Sequence, residues 1–210
     1  MPRLCERREM KMPRIYNVKK SRKDQGACSK CGDPLPAGTP YRWIKPRYGR
    51  KRVRCTKHEC RFRASDLTSS DKLSRFYAAQ EIVEDHTNFI LVRLRSPEHM
   101  DWTADNTAII QALSGLKEDL ESMEGEYDDV SYEYEDGADN IEMYFSETEQ
   151  SDRMRECAYQ LQDYSGQASD FQSQVEELIE ELTEKEEIDV EKIDAVVQEI
   201  QDNVAGFYLD

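Results

Sequence analysis

The chain has 210 residues, of which 38% are hydrophobic and 35% are charged, and its formal net charge is −15 at pH 7. That length allows one or two domains, and the longest apolar run, residues 89–92, is too short for a membrane span of about 20 residues. The N-terminus carries charges where a signal peptide has its apolar stretch, so we expect a cytoplasmic protein.

The charge is distributed unevenly along the chain. Residues 1–63 contain 20 basic and 5 acidic residues, whereas residues 64–210 contain 9 basic and 39 acidic ones. Between Lys117 and Arg153 there is no basic residue, and there are 15 acidic ones. Such a polarised chain is expected to consist of parts that meet different partners.

Composition and motifs divide the chain into four predicted segments. Residues 1–25 are expected to form a basic flexible arm, and residues 26–66 a zinc-binding module. Residues 67–102 are expected to form a linker helix and a connection, and residues 103–210 an acidic helical region.

The cysteines predict a metal site in the basic part of the chain. Cys28 and Cys31 form one close pair, and Cys55 and Cys60 form a second. In a reducing compartment, two such pairs favour a metal ion over two disulfides. Gly32 directly follows the first pair and can adopt the positive φ angle that such a tight turn favours.

The second cluster offers three possible ligands for the two remaining positions, since His58 lies between Cys55 and Cys60. We favour Cys55 and Cys60, which leaves His58 as a surface residue. The pairs Cys55 with His58 and His58 with Cys60 stay open. Four protein ligands leave no position for water or substrate, so the ion is predicted to be structural Zn²⁺.

The segment between the two cysteine pairs predicts a β-hairpin. Residues 41–45 and 52–54 alternate large and basic side chains, and residues 48–50 would form the turn. The order of knuckle, hairpin, second ligand pair and helix over residues 26–66 resembles treble-clef and zinc-ribbon modules.

A longer pattern, Cys-x₂-Cys-Gly, Gly-x₂-Tyr-x-Trp and Cys-x₂-His-x-Cys, also resembles the zinc fingers of poly-ADP-ribose polymerases. The chain departs from that family in its shorter central loop and in its His-x-Cys second pair, so recognition of DNA breaks is not carried over. Modules of these classes bind DNA, RNA or protein. The resemblance therefore implies a metal site without implying one target.

Basic and aromatic residues interleave around the predicted hairpin, a mixture that supplies phosphate contacts and stacking faces. We expect sequence-tolerant nucleic-acid binding by nine residues: Arg42, Trp43, Lys45, Arg47, Tyr48, Arg50, Lys51, Arg52 and Arg54. In an alternative interpretation the basic module pairs with the acidic half, and Tyr41 and Trp43 form the small core that the metal closes.

A helix is predicted over residues 70–85, with its apolar face packed on the zinc module. Residues 88–95 are expected to form a short strand or a helical turn that ends before Pro97. His86 and His99 are isolated in the sequence, so neither is expected to act as a ligand or a general base.

Two heptad seams predict an antiparallel, coiled-coil-like helical hairpin in the acidic half. The first seam runs from Ile109 to Tyr134 and the second from Met154 to Leu182. The turn is expected within residues 135–153, either in the Glu-Asp-Gly-Ala-Asp-Asn stretch or in the Ser-Glu-Thr-Glu-Gln-Ser-Asp stretch. A third helix should begin near Asp189 and end at Gly206.

The single cysteines carry no predicted chemistry. Cys157 lies on the second seam and is expected to be an inert buried thiol, whereas Cys5 lies in a polar tail. The sequence has no Gly-rich phosphate loop and no recognisable catalytic triad or metalloprotease motif. We therefore expect that the protein is not an enzyme and has no small-molecule substrate.

The predicted fold is mainly α, with a small N-terminal zinc-stabilised β-hairpin module, an antiparallel helical hairpin and a third C-terminal helix. The predicted function is that of a zinc-binding adaptor or regulatory protein. Its basic module would contact nucleic acid, and its acidic helical arm would contact a basic protein or self-associate. The alternative is an interaction or inhibitor protein whose acidic arm mimics nucleic acid, with zinc purely structural. Small size and high charge would suit an accessory protein of a phage.

Overall fold

The computed structural model describes residues 13–46, 50–68, 70–96, 106–184 and 189–209. The chain divides into two compact units, residues 1–74 and residues 75–210. The elements in chain order are β1 (Tyr16–Val18), β2 (Tyr41–Ile44), β3 (Arg52–Arg54), a 3₁₀ turn (His58–Cys60), α1 (Ala64–Leu67), α2 (Asp71–Arg95), α3 (Asn106–Phe145), α4 (Glu149–Glu184) and α5 (Val190–Val204).

The N-terminal unit contains a three-stranded antiparallel sheet in the order β1-β2-β3. The predicted hairpin is confirmed as β2 and β3, but its turn at residues 48–50 lies largely outside the described residues. β1 corrects the sequence prediction, because residues 16–18 were expected in a flexible arm. Three residues are too few to give a periodic signal, and Tyr16 joins the sheet because it pairs with Trp43.

The two faces of this sheet have different roles. One face places Tyr41 and Cys55 in a small core with Cys28, Leu35 and Cys60, and Val18, Trp43 and Val53 pack against it. The opposite face carries Ile44, which is completely buried, and Arg54. The face of the sheet that carries Tyr41, Trp43 and Val53 thus covers the cysteine cluster.

The helical unit contains the predicted antiparallel hairpin, formed by α3 and α4. Along the first seam every position from Ile109 to Val130 is buried, while Tyr134 is half-buried. Ser131 donates to the carbonyl of Ala158 across the hairpin. The second seam is buried at seven positions: Cys157, Leu161, Ala168, Phe171, Val175, Leu178 and Leu182.

The hairpin turn lies in the second of the two candidate stretches. α3 ends at Phe145, Ser146 adopts a φ of 63°, and the Thr148 side chain accepts from the Ser151 amide at the start of α4. The first candidate stretch is helical although it contains Gly137. The Met154 side chain occupies the space beside Gly137, where a Cβ atom would clash with Met154 Cε.

The helix predicted over residues 70–85 is longer, because α2 continues to Arg95, so the alternative of a strand at 88–95 is wrong. Its apolar face was expected to pack on the zinc module. Within the helical unit, Phe76 stacks on Tyr127 of α3, and Gln80 donates to the carbonyl of Val204 of α5. Sequence periodicity identifies an apolar face but does not name these partners.

The third predicted helix is confirmed as α5. Asp189 caps it by accepting from the Lys192 amide, and Ile193, Val197, Ile200 and Val204 form its buried face. Within the described part of the chain, no helix has an apolar stretch long enough to cross a bilayer.

Candidate metal centre

The first cysteine pair lies on a tight turn that is closed by backbone hydrogen bonds. The Cys28 amide donates to Asp33 O at 2.8 Å, and the Gly32 amide donates to Cys28 O at 3.0 Å. Gly32 has a φ of 78°, a conformation that a residue with a Cβ rarely adopts. The predicted role of this glycine is therefore confirmed, and the turn directs Cys28 and Cys31 to one point.

The second pair comes from the end of the sheet and from the 3₁₀ turn. Cys55 directly follows β3, and its amide donates to Cys28 Sγ at 3.3 Å. Cys60 ends the 3₁₀ turn, where its amide donates to Lys57 O at 3.2 Å. An amide hydrogen directed at a cysteine sulfur favours the thiolate form, which is the form that binds a metal.

The four sulfur atoms form one cluster, in which all lie within 4.8 Å of one another. Cys31 Sγ and Cys55 Sγ are 3.7 Å apart. Four sulfurs arranged tetrahedrally around Zn²⁺ at about 2.3 Å would be about 3.8 Å from each other, so this donor set fits the ion. The four cysteines are thus positioned to bind a metal ion. His58 is exposed and does not belong to the cluster.

The pKa values of the Cys28 and Cys60 thiols are shifted in opposite directions. Burial opposes ionisation of Cys28, but the amides of Cys31, Cys55 and Lys30 outweigh it and lower the Cys28 pKa to about 6. Burial and the neighbouring cysteine sulfurs raise the pKa of Cys60 to about 12. A cation at the centre would favour the thiolate at every position, because its charge offsets the repulsion between the sulfurs.

Two ion pairs hold the segments that carry the cysteines. Lys57 Nζ lies 2.6 Å from the carboxylate of Asp33, and this pair links the two turns on the surface. Arg54 is 8% exposed and forms two 2.6 Å hydrogen bonds to the Asp66 carboxylate. Arg54 also donates to Arg61 O at 2.9 Å, so it connects the residues directly before Cys55 and directly after Cys60.

The predicted nucleic-acid residues that the structure describes on β2 and β3 do not all share one face of the sheet. Arg54 is removed from that set, because its guanidinium is buried and paired with Asp66. Trp43 is in contact with neighbours within the unit: Tyr16 stacks on it at 4.2 Å, and Lys51 Nζ lies 4.7 Å from the ring centroid. Tyr48 and Arg47 lie outside the described residues.

The remaining predicted cations are accessible. Lys45, Arg50, Lys51 and Arg52 are exposed, and the half-buried Arg42 donates to Thr56 O at 3.2 Å. In the register of the sheet, Arg42 and Arg52 lie on the face opposite Trp43. Phosphate contacts are therefore sterically available to these side chains, and Lys51 Nζ lies 5.3 Å from the Tyr41 ring centroid as well as 4.7 Å from that of Trp43.

Sequence reasoning missed two carboxylates that partner predicted residues. Asp66 pairs with Arg54, and Asp119 of α3 accepts a 2.6 Å hydrogen bond from His86, which the sequence left isolated. In a chain with 44 acidic residues, no local pattern distinguishes these two from the others. Compared with known proteins, the chain matches no family model, no curated protein and no solved structure.

Proposed function

We propose that this protein is a non-enzymatic adaptor in which a structural Zn²⁺ holds the basic N-terminal unit together and the acidic helical unit binds a basic protein. The observation that carries the metal assignment is the convergence of four cysteine sulfurs within 4.8 Å. Cys28, Cys31, Cys55 and Cys60 would hold the ion, which would cross-link segments 27 residues apart in the chain.

The metal assignment is tested by measuring the metal content of the purified full-length chain. We expect about one equivalent of Zn²⁺, and we expect Cys28→Ser to release it and to unfold the N-terminal unit. Cys157→Ser is the matched control, because Cys157 is also a buried cysteine but lies on α4. Full zinc loading of the Cys28→Ser protein would contradict the assignment.

The protein-binding role is supported by the charge of the helical unit. Residues 75–210 contain 37 acidic and 8 basic residues, a net charge of −29. Several of the basic residues are used within the unit, as Arg75 contacts Glu126 and Glu133 and Lys117 contacts Glu176. A large excess of carboxylates thus faces solvent, and a surface of this sign attracts cationic partners.

The probe for this role is a synthetic amphipathic 18-residue peptide of lysine and leucine. We expect the full chain to bind it at about 0.15 M salt and to lose affinity as salt rises, since exposed charges are screened over about 8 Å at that ionic strength. Absence of binding at 0.15 M salt would contradict a basic-protein partner.

Nucleic-acid binding by the basic unit is a second candidate, supported by the exposure of Lys45, Arg50, Lys51 and Arg52. It predicts that a labelled single-stranded 20-mer binds the full chain with an affinity that falls steeply with salt. The triple variant Lys45→Gln, Arg50→Gln and Lys51→Gln should flatten that dependence. A control triple with the same charge change, Lys19→Gln, Lys20→Gln and Arg22→Gln, should flatten it less. Equal effects of the two triples would contradict a defined site.

A further inference from the structure

The end of the helical hairpin exposes three consecutive large apolar side chains. Met143, Tyr144 and Phe145 are 73%, 75% and 75% exposed, and they form the last residues of α3. We call residues 139–153 the hairpin tip. Because successive residues of an α-helix lie about 100° apart around its axis, the apolar patch that these three side chains form extends around the end of α3.

The exposure follows from where the packed seam ends. Ala138 is the last fully buried residue of α3, and the helix continues for two further turns in which Asp139 and Glu142 pair with Arg155 of α4. The reversal at Ser146 and the cap at Thr148 then start α4. Most of the surface of these three side chains is therefore left uncovered by the described residues.

The charge around this patch is strongly negative. Residues 135–156 contain eight acidic and two basic residues. Both basic side chains are already paired, Arg153 with Glu149 and Arg155 with Asp139 and Glu142. The hairpin tip is therefore an apolar patch surrounded by excess carboxylate.

We propose that the hairpin tip is the docking surface of the helical unit for a basic, amphipathic protein segment. Met143, Tyr144 and Phe145 pack against the apolar side chains of that segment, and the surrounding carboxylates face its lysine and arginine side chains. This inference rests on the proposed function and names the surface that performs it. Buried aromatic anchors within a charged rim are the arrangement that concentrates binding energy at protein interfaces.

Charge complementarity favours a basic protein over two other possible occupants of the hairpin tip. A second hairpin tip would bring two negative patches together, which like-charge repulsion opposes. An anionic membrane surface would be repelled for the same reason. A cationic protein surface neutralises the carboxylates and covers the apolar side chains in one contact.

A second apolar stripe on α2 provides the matched control. Ile82, Phe89 and Val92 are 51%, 44% and 55% exposed, so they offer a similar number of apolar side chains on the same unit. The guanidinium of Arg93 lies 4.5 Å from the Phe89 ring centroid, which places a positive charge against this stripe. Electrostatics therefore does not favour a basic partner there.

The experiment compares the full-length chain with two triple variants. The tip variant carries Met143→Ser, Tyr144→Ser and Phe145→Ser, and the control variant carries Ile82→Ser, Phe89→Ser and Val92→Ser. Each protein is titrated at about 0.15 M salt with the Lys/Leu peptide and with a Lys/Ser peptide of equal charge. Circular dichroism checks that helix content and Tm are retained, as expected for exposed residues.

We expect the tip variant to bind the Lys/Leu peptide at least tenfold more weakly than the native chain, and to bind the Lys/Ser peptide unchanged. The control variant should bind both peptides like the native chain. If the tip variant keeps its affinity for the Lys/Leu peptide, the docking surface is wrong while the proposed function stands. If the native chain binds neither peptide, the proposed function fails as well.

Sedimentation velocity tests whether a second copy of the chain, rather than a basic protein, binds the hairpin tip. The native chain is measured over a range of concentrations beside the tip variant. We expect no self-association that depends on the hairpin tip. A dimer that forms in the native chain and is lost in the tip variant would assign the surface to a second copy and overturn the proposal.

Discussion

Arg54 and Asp66 form a two-pronged ion pair, with both nitrogen–oxygen distances at 2.6 Å, across the segment that carries Cys55 and Cys60. Their side chains are 10% and 16% exposed, so the pair is largely shielded from solvent. Breaking a shielded pair leaves one charge without its partner, which costs several kcal/mol. The pair therefore supports the metal centre from outside the ligand set.

Asp66→Asn is expected to destabilise the N-terminal unit by roughly 3 kcal/mol and to speed the release of zinc to a chelator. Lys57→Gln removes the exposed pair with Asp33 in the same unit and should cost less than about 1 kcal/mol. Thermal unfolding and chelator kinetics measure both effects. Equal behaviour of the two variants would show that Arg54 does not support the centre.

Two single variants distinguish the four-cysteine ligand set from the sets that include His58, which the sequence left open. His58→Ala should retain about one equivalent of zinc, because His58 is exposed and lies outside the sulfur cluster. Cys60→Ser should lose the metal, because Cys60 is completely buried within that cluster. Metal analysis of the two purified variants reads this out directly. Loss of zinc in His58→Ala with retention in Cys60→Ser would reverse the assignment.

Sequence periodicity was sufficient for the long helices, and the short spacing within each cysteine pair was sufficient to indicate that the four cysteines meet. It failed where the determining contact is distant in the chain. β1 has only three residues and forms because Tyr16 meets Trp43. The stretch around Gly137 looks like a turn, yet it is helical because Met154 fills the place of the missing side chain. Neither partner is visible in a local window.

The four glycines of α3 and α4 provide a graded test of this explanation. A Cβ at Gly125 or Gly166 would meet no atom within 4 Å, so alanine there should stabilise the protein by about 0.5–1 kcal/mol through helix propensity. A Cβ at Gly115 would lie 2.8 Å from His86 Cε1. Gly115→Ala should therefore lose that gain or destabilise the protein, since the His86 ring is held by Asp119.

The change in stability caused by Gly137→Ala is expected to lie between that of Gly125→Ala and that of Gly115→Ala. The new Cβ atom would meet the terminal methyl group of Met154, whose flexible side chain can move. Denaturant unfolding of the four single variants gives the order directly. A stabilising Gly115→Ala would show that the approach of His86 to α3 is looser than described.

The hydroxyl of Tyr127 is buried without a hydrogen-bond partner among the described residues. Its ring stacks on Phe76, and burial raises the pKa of the hydroxyl well above its usual range. Tyr127→Phe keeps the ring and removes the unsatisfied group, so it should stabilise the helical unit by about 1 kcal/mol.

Tyr164→Phe is the matched control, because the Tyr164 hydroxyl donates to Tyr208 O at 3.0 Å. Its removal should destabilise the unit by about 0.5–1 kcal/mol. Thermal unfolding of both variants at one pH measures the difference. If Tyr127→Phe destabilises the protein as much as Tyr164→Phe does, the Tyr127 hydroxyl has a partner in solution.

The pairing of Glu142 with Arg155 predicts a loss of hairpin stability in acid. Hydrogen bonding from Arg155 lowers the pKa of Glu142 below its ordinary value of 4.5. A carboxylate with a lowered folded-state pKa stabilises the fold fully above the unfolded pKa, and that stabilisation is lost as the pH falls through the folded pKa. Between pH 6 and about pH 3, the free energy of unfolding of the native chain should therefore fall more than that of Glu142→Gln, which lacks this carboxylate.

Glu147→Gln, at an exposed residue of the turn, serves as the control. Unfolding curves for the three proteins across this range test the prediction, and parallel pH profiles for the native chain and Glu142→Gln would contradict a stabilising Arg155–Glu142 contact.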